Sequence, residues 1–452
     1  MTVSVLAVLP GQDLLRRSAT AAIEHRAPEP DLERAAVPRG FTVDPTFPAV
    51  AVGTGLATTS TLDSLHPGRS ERFVVAGTFA VDRPEDVPEA QDGVEFFSNP
   101  VIAPLLTCIG TGAVGGVSDV ATNLQLSQLG ARGLDGGNVA IAIMDTGINI
   151  AHVNAKRRTT TRLDAANSWS PPGGSAPTPF NHPVNHGTMC AFDALIAAPN
   201  ATLLDYPILA TSAPPPKGPI TGSTLAVALL AYADLMSKWA VAFAAGGLRH
   251  YTGLVVNNSW GIYHPSWDFP PGHPGRFIDN PRHPFTQFVA TLAATGADIL
   301  FAAGNCGAQC PDSKCQGRVA GTIMGTNASA DVLTIAGCDI HDQRVGYSSQ
   351  GPSIANMPQQ KPDLTTYTHF LGSECKGPGD PDTGTSAACP VAAGCVAALR
   401  PKLTPAAQPP AHLFARLRSS ARPGPGTTHG VWNGDYGWGI LDLNAAAASA
   451  GV

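Results

Sequence analysis

Four polar residues of this 452-residue chain could together carry out acyl transfer. Ser386, in the run Asp382-Thr-Gly-Thr-Ser-Ala-Ala-Cys-Pro390, stands at the start of an Ala-rich helical stretch. There the helix dipole and free N–H groups favour negative charge. His186, in Asn185-His-Gly-Thr-Met-Cys190, opens a second such stretch and is the side chain that titrates near neutral pH. Asp145 ends the apolar run Asn138-Val-Ala-Ile-Ala-Ile-Met144, where a carboxylate can hold an imidazole tautomer. Asn305 follows the run Asp298-Ile-Leu-Phe-Ala-Ala-Gly304 and can donate its amide to an oxyanion. Nucleophile, base, orienting group and oxyanion donor are the parts this chemistry needs.

The same letters admit rivals. Asp145-Thr-Gly147 and Asp382-Thr-Gly384 spell the D-T-G of aspartic proteases. Both motifs should then follow apolar strands, and Gly377-Pro-Gly-Asp-Pro381 is not one. That reading also leaves His186 and Asn305 idle, and Asp382 reads instead as a loop residue before the nucleophile. His182 and His186 have the spacing of a zinc pair, but Pro183 breaks the helix and the H-E-x-x-H glutamate is missing. His182 reads as a loop histidine.

Positioning these groups requires a parallel sheet. Apolar runs at 138–144, 254–258, 298–303 and 331–336 alternate with Ala-rich stretches at 187–198, 223–245 and 285–295. Continuous apolar strands between helices predict an α/β fold with both sheet faces covered, and active residues at the carboxyl ends of the strands. Asp145 and Asn305 sit at such ends. Residues 1–118 read differently: strand-like runs at 71–77 and 94–97 around a short acidic segment predict a small α+β module. The Gly-rich stretch from Cys108 to Asp119 reads as a flexible, cleavable linker.

The four segments and their Asp…His…Ser order resemble the subtilisin-like serine peptidases, or subtilases. Further stretches resemble family landmarks in order: Gly136-Gly-Asn-Val139, Ser259-Trp-Gly261, Tyr347-Ser-Ser-Gln-Gly-Pro352, Lys361-Pro-Asp363 and Gly437-Trp-Gly-Ile-Leu-Asp442. The resemblance implies a three-layer α/β fold with a mainly parallel central sheet over residues 119–452, preceded by a prodomain-like module at 1–118. It implies a serine endopeptidase with Asp145, His186 and Ser386 as triad and Asn305 in the oxyanion hole. Substrate would lie as an extended strand along Ser259, Trp260 and Gly261. Its primary pocket would be walled by that segment and by Ala302, Ala303 and Gly304, with Trp260 narrowing one subsite. The N-terminal module would act as an intramolecular inhibitor, with the tail from Pro104 to Val117 in the cleft and self-cleavage in the linker.

Departures also matter. Met189 stands where the family commonly has a second histidine, and Cys190 resembles the thiol of the proteinase K branch. A thiol beneath the imidazole would make the enzyme sensitive to mercurials. Pro390 is expected near the first helical turn, where its missing N–H costs least. Residues 262–285 read as a Pro- and His-rich loop beside the cleft. A water-excluding lid there would allow a different outcome, peptide maturation or macrocyclisation with an amine resolving the acyl-enzyme. Asp268, Asp279 and Asp312 are loop carboxylates that would favour basic substrates if they faced the cleft.

Composition bounds the rest. Hydrophobic residues make up 43% and charged residues 14%, with 48 Gly and 41 Pro, which fits a large loop-rich globular chain. A net charge of −6 without a basic run argues against nucleic acid or anionic membrane as a partner. The opening MTVSVLAVLPGQDLLRR lacks a basic residue before its apolar run and makes a poor Sec signal, and no apolar run spans a bilayer. The compartment is left open between cytoplasm and export by another route. Nine cysteines leave at least one thiol unpaired, with a local disulfide or buried thiols expected among Cys306, Cys310 and Cys315. The chemistry needs no cofactor; structural calcium is common in the resembling family, but no run of alternating oxygen ligands marks a site.

Overall fold

The computed structural model describes residues 1–24, 26–53, 66–104, 112–171, 178–209, 223–240 and 247–452. At the N-terminus, strands β1 (Thr2–Pro10), β2 (Phe41–Val43), β3 (Val50–Val52), β4 (Arg72–Ala80), β5 (Ala90–Gln91) and β6 (Val94–Ser98) build one antiparallel sheet. Its order is β2-β4-β1-β6-β5, with β3 also on β4. The apolar opening, a poor export signal by sequence, is thus an inner strand. Val5, Ala7 and Leu9 face a cluster with Leu15, Phe73 and Phe96 under the Asp13–Ile23 helix. On the opposite face Leu6, Val8, Val74 and Ala76 join the large core of the following residues. That two-sided burial follows from the period of two along a strand.

A short strand, β7 (Val101–Pro104), leaves this sheet. The remaining chain forms a seven-stranded parallel sheet from β8 (Val139–Met144), β9 (Arg162–Leu163), β10 (Thr202–Tyr206), β12 (Gly253–Asn258), β14 (Asp298–Ala302), β15 (Leu333–Cys338) and β16 (Leu364–Tyr367). The order is β16-β15-β14-β12-β8-β10-β9, every pairing parallel. Along β8, Val139, Ile141 and Ile143 face one apolar cluster, while Ala140, Ala142 and Met144 face the other. Helices His186–Ala197 and Thr385–Leu399 cover the first face, and Leu225–Ala240 and Pro284–Ala294 the second. The three-layer α/β arrangement is the one the apolar runs predict, with residues 241–246 of the third helical stretch outside the described residues.

Two helices approach closely because of one glycine. A Cβ on Gly394 would lie 2.1 Å from the Ala194 carbonyl, so only glycine lets the helices carrying His186 and Ser386 pack this tightly. The linker also differs from its expected form. Residues 105–111 lie outside the described set, but Val114, Gly115 and Val117 hydrogen-bond to His369 and Leu371, and Val117–Asn123 is helical. Among the described residues no helix is long and apolar enough to cross a membrane.

Candidate active site

Asp145 follows the last residue of β8, pinned by its N–H to Tyr206 O at 3.1 Å. Its carboxylate is fully buried and accepts the Thr146 N–H at 2.7 Å. His186 begins its helix with Asn185 as cap, whose side chain accepts the His186 N–H at 2.8 Å. Two more bonds sew this helix start to the loop after Asp145: Gly187 N–H to Thr146 Oγ1 at 2.9 Å, and Asn149 N–H to Thr188 Oγ1 at 3.0 Å. As a result His186 Nδ1 lies 2.9 Å from both oxygens of Asp145. Two carboxylate oxygens on one nitrogen fix Nδ1–H and leave Nε2 as the basic atom. Nε2 is buried and has no hydrogen-bond partner among the described residues.

Ser386 is the second residue of the Thr385–Leu399 helix and wholly buried. Its Oγ donates to Ser259 O at 3.2 Å. Asn305 is buried at the end of the loop after β14, and its Oδ1 accepts from Thr385 N at 2.9 Å and from Thr385 Oγ1 at 3.0 Å. Those two donors decide the amide's orientation: Oδ1 faces Thr385, and the NH₂ is the group presented elsewhere. Thr385 Oγ1 also accepts the Gly304 N–H at 3.0 Å. Thr385 was not singled out by sequence; its place directly before Ser386 is its only local mark.

Cys190, one turn after His186, places Sγ 3.6 Å from Asp145 Oδ2, 3.8 Å from His186 Nδ1 and 3.6 Å from the Ser386 carbonyl. Burial, reinforced by the Asp145 charge, pushes its thiol well up, so it stays protonated. The expectation of a thiol beneath the imidazole is met in geometry. Asp145, His186 and Cys190 offer ligand atoms within 4.8 Å of one another, close enough for one soft metal ion to reach all three.

Pro390 departs from expectation. It is the sixth residue of its helix, so its missing N–H is the one that would bond Ser386 O. That carbonyl instead accepts from Ser259 Oγ at 3.0 Å and from Cys190 Sγ. Ser259 is itself held by Asn257 Nδ2 at 3.1 Å, while Asn258 bonds Leu300 O and the Tyr232 hydroxyl.

The candidate substrate segment, β13 (Trp260–Gly261), pairs antiparallel with β7, setting Trp260 opposite Pro104 and Gly261 opposite Ala103. On its other side β7 pairs with β11 (Ser223–Thr224). Of the expected tail, Pro104 is thus paired with Trp260 and residues 105–111 lie outside the described residues, while the paired strand also takes in Val101, Ile102 and Ala103 upstream. Trp260 packs on Phe285 and Phe301. Between the two expected pocket walls stands a residue that sequence did not flag: Asn327 Nδ2 donates to Trp260 O at 3.0 Å and Ala302 O at 2.9 Å. A Cβ on Gly261 would stand 3.2 Å from that nitrogen. Gly304 adopts φ +106, with its neighbour Ala303 bonded to Ile335 O at 2.9 Å.

Asp382 lies in the loop before Ser386, as expected, and is buried, its carboxylate accepting the N–H and hydroxyl of Ser373. Burial raises the proton affinity of Asp382, and Asp193 is driven well up, by burial first and Asp382 second. His182 is buried against Gly147, whose Cβ would stand 2.2 Å from the ring, and its Nε2 is 3.6 Å from Asp205 Oδ2. Asp205 accepts Phe180 N–H at 2.7 Å, and burial pushes its carboxyl up to about 7. None of the three loop carboxylates is spare for a basic substrate. Asp268 accepts the N–H groups of Phe269, Phe277 and Ile278, Asp279 pairs with Arg276, and Asp312 caps and pairs with Lys314. Cys306 and Cys315 form the expected local disulfide, and Cys310 is also disulfide-bonded.

With the geometry described, comparison with known proteins is informative. The model of the subtilase family, Peptidase_S8, matches residues 136–439. Membrane-bound transcription factor site-1 protease of Homo sapiens is 32% identical over 167 residues, 36% of this chain and 14% of that protein. The Mus musculus protein is 27% identical over 296 residues, 62% of this chain and 22% of its own length. The matches thus span less than a quarter of these curated relatives. Among solved structures, fervidolysin from Fervidobacterium pennivorans, a keratinolytic enzyme related to subtilisin, aligns with TM-score 0.53 and 15% identity. That alignment covers 99% of this chain and 61% of the other, a likeness of fold.

Proposed function

Because the chain belongs to the subtilase family of serine peptidases, we propose that it is an endopeptidase working through an acyl-enzyme on Ser386. The observation that carries this reading is the grip of both Asp145 oxygens on His186 Nδ1, which leaves the buried Nε2 as base. In this mechanism Ser386 Oγ attacks the peptide carbonyl carbon and its proton passes to His186 Nε2. Asp145 stabilises the resulting imidazolium. The oxyanion is held by the Ser386 N–H at the helix start and by the Asn305 amide, whose orientation Thr385 fixes. His186 then protonates the leaving amine. Water, deprotonated by the same Nε2, attacks the ester and releases Ser386.

The antiparallel pairing of Val101–Pro104 with Trp260–Gly261 supports reading residues 1–118 as an intramolecular inhibitor and linker. In that reading the tail imitates an extended substrate, and self-cleavage falls in the stretch 105–111. Intact mass of an active preparation tests it; an active chain of full mass sinks obligatory processing. Nothing favours the ligating alternative, since residues 262–283 fold onto the N-terminal module and its strand β6.

A fluorophosphonate probe tests the serine mechanism. Labelling of the activated chain that disappears in Ser386→Ala is the expected result; an unlabelled activated chain rejects it.

A further inference from the structure

Residues 262–283 form an arm between β13 and the Pro284–Ala294 helix. It reaches the N-terminal module at several points. Phe269 is buried within the module's own cluster, beside residues such as Val5, Phe73 and Phe96. Ser98 N–H donates to Gly275 O at 2.8 Å, and a Cβ on Gly275 would lie 2.2 Å from Phe96 O. Asp268 braces the arm from inside through three backbone N–H groups.

Two histidines of the arm make further polar contacts, and both do so in the same way. His273 Nδ1 accepts the Gly275 N–H at 3.0 Å, while its Nε2 meets Val87 O at 2.9 Å. His283 Nδ1 accepts the Phe285 N–H at 3.3 Å, while its Nε2 meets Ser98 O at 3.0 Å. A carbonyl only accepts, so each Nε2 carries the proton and each Nδ1 is bare. Both rings are therefore held in the neutral Nε2–H tautomer. An imidazolium would turn an Nδ1–H against a backbone N–H in both places.

We propose that this arm is an acid-labile clamp on residues 1–104: neutral His283 closes it, beside the matching His273 contact, and protonation of the His283 ring opens it. The His283 ring is enclosed by Phe97 and Phe277 at 5.5 and 5.0 Å, and burial lowers its pKa to about 3, with Ser98 O opposing. Once uncovered, a histidine returns to about 6.5. The closed state thus binds fewer protons than the open one, so docking is complete above that pH and weakens as pH falls through it. Among the described residues, the segments that carry and face the rings hold these charged groups: on the arm Asp268, Arg282 and the Arg276–Asp279 pair, and on the module Glu89, the Arg72–Glu95 pair and Arg83 with Glu85 and Asp86 beside Val87. Ordinary carboxylates titrate near about 4, below the histidine window. Asp268, which burial pushes up, works in the opposite sense.

This clamp does not depend on the peptidase reading, and its test uses the full chain carrying Ser386→Ala so that residues 1–104 stay attached. Hydrogen exchange of β6 amides is followed from pH 7.5 to 5.0, corrected for intrinsic rates, with β8 and β15 as internal controls. Protection of β6 should fall below about pH 6.5, by up to about tenfold per pH unit, while the controls hold. His283→Gln keeps a donor and an acceptor without titrating, and should flatten the response. If that variant does not fold, the response of the parent chain decides the matter. Unchanged protection in the parent chain, or an equal acid response in His283→Gln, overturns the proposal.

Discussion

Ser259 and Ser386 are tied to each other in both directions, Ser259 Oγ donating to Ser386 O at 3.0 Å and Ser386 Oγ donating to Ser259 O at 3.2 Å. The first bond replaces the helix bond that Pro390 cannot make. Ser259→Ala should therefore cost about 1–3 kcal/mol, the penalty of a buried carbonyl losing its donor. Pro390→Ala restores an N–H and should reduce that cost, so urea unfolding of both single variants and the double should show coupling. Additive losses would mean that the carbonyl is satisfied otherwise.

Asn305→Ala should lower kcat by about 10²–10³ and leave KM nearly unchanged, because in the proposed mechanism the amide acts on charge present only in the transition state. That magnitude comes from the corresponding donor of a subtilisin. Thr385→Val, which removes one of two donors to Asn305 Oδ1, should lower kcat less. Steady-state kinetics on a peptide substrate checks both.

Cys190 Sγ lies within 4 Å of both Asp145 and His186, so mercuric ion should inhibit by bridging thiolate and imidazole. Cys190→Ala should keep measurable activity and resist mercury. Equal inhibition of that variant would place the sensitive thiol elsewhere.

Asn327 links the carbonyls of Trp260 and Ala302 across the expected primary pocket. Asn327→Ala should open that space and raise kcat/KM for a large P1 side chain relative to alanine by about tenfold or more. A panel of peptides differing only at P1 reads the shift.

Asp205 adds a pH dependence to folding. Its folded pKa is raised to about 7, above an unfolded value of about 4. The folded chain then holds an extra proton in that interval, so this stability is present below it and lost as pH rises to about 7. Asp205→Asn retains an oxygen for the Phe180 N–H and should narrow the difference in Tm between pH 5 and pH 7.5. An unchanged difference would assign the effect to another group.

The sequence by itself marked the candidate site residues and the sheet that carries them. Asp145, His186, Asn305 and Ser386 are legible because each closely follows a strand or starts a helix. Continuous apolar strands and Ala-rich helices show their period within a few residues. Only the tertiary structure decided the contacts between distant segments. Val101–Pro104 beside Trp260, Cys190 beneath Asp145, Asn327 between Trp260 and Ala302, and Ser259 answering Pro390 all join residues far apart in the chain. So does the arm on the module, which sequence reading took for a loop beside the cleft. Such pairings depend on strand order and register, and local periodicity carries no record of either.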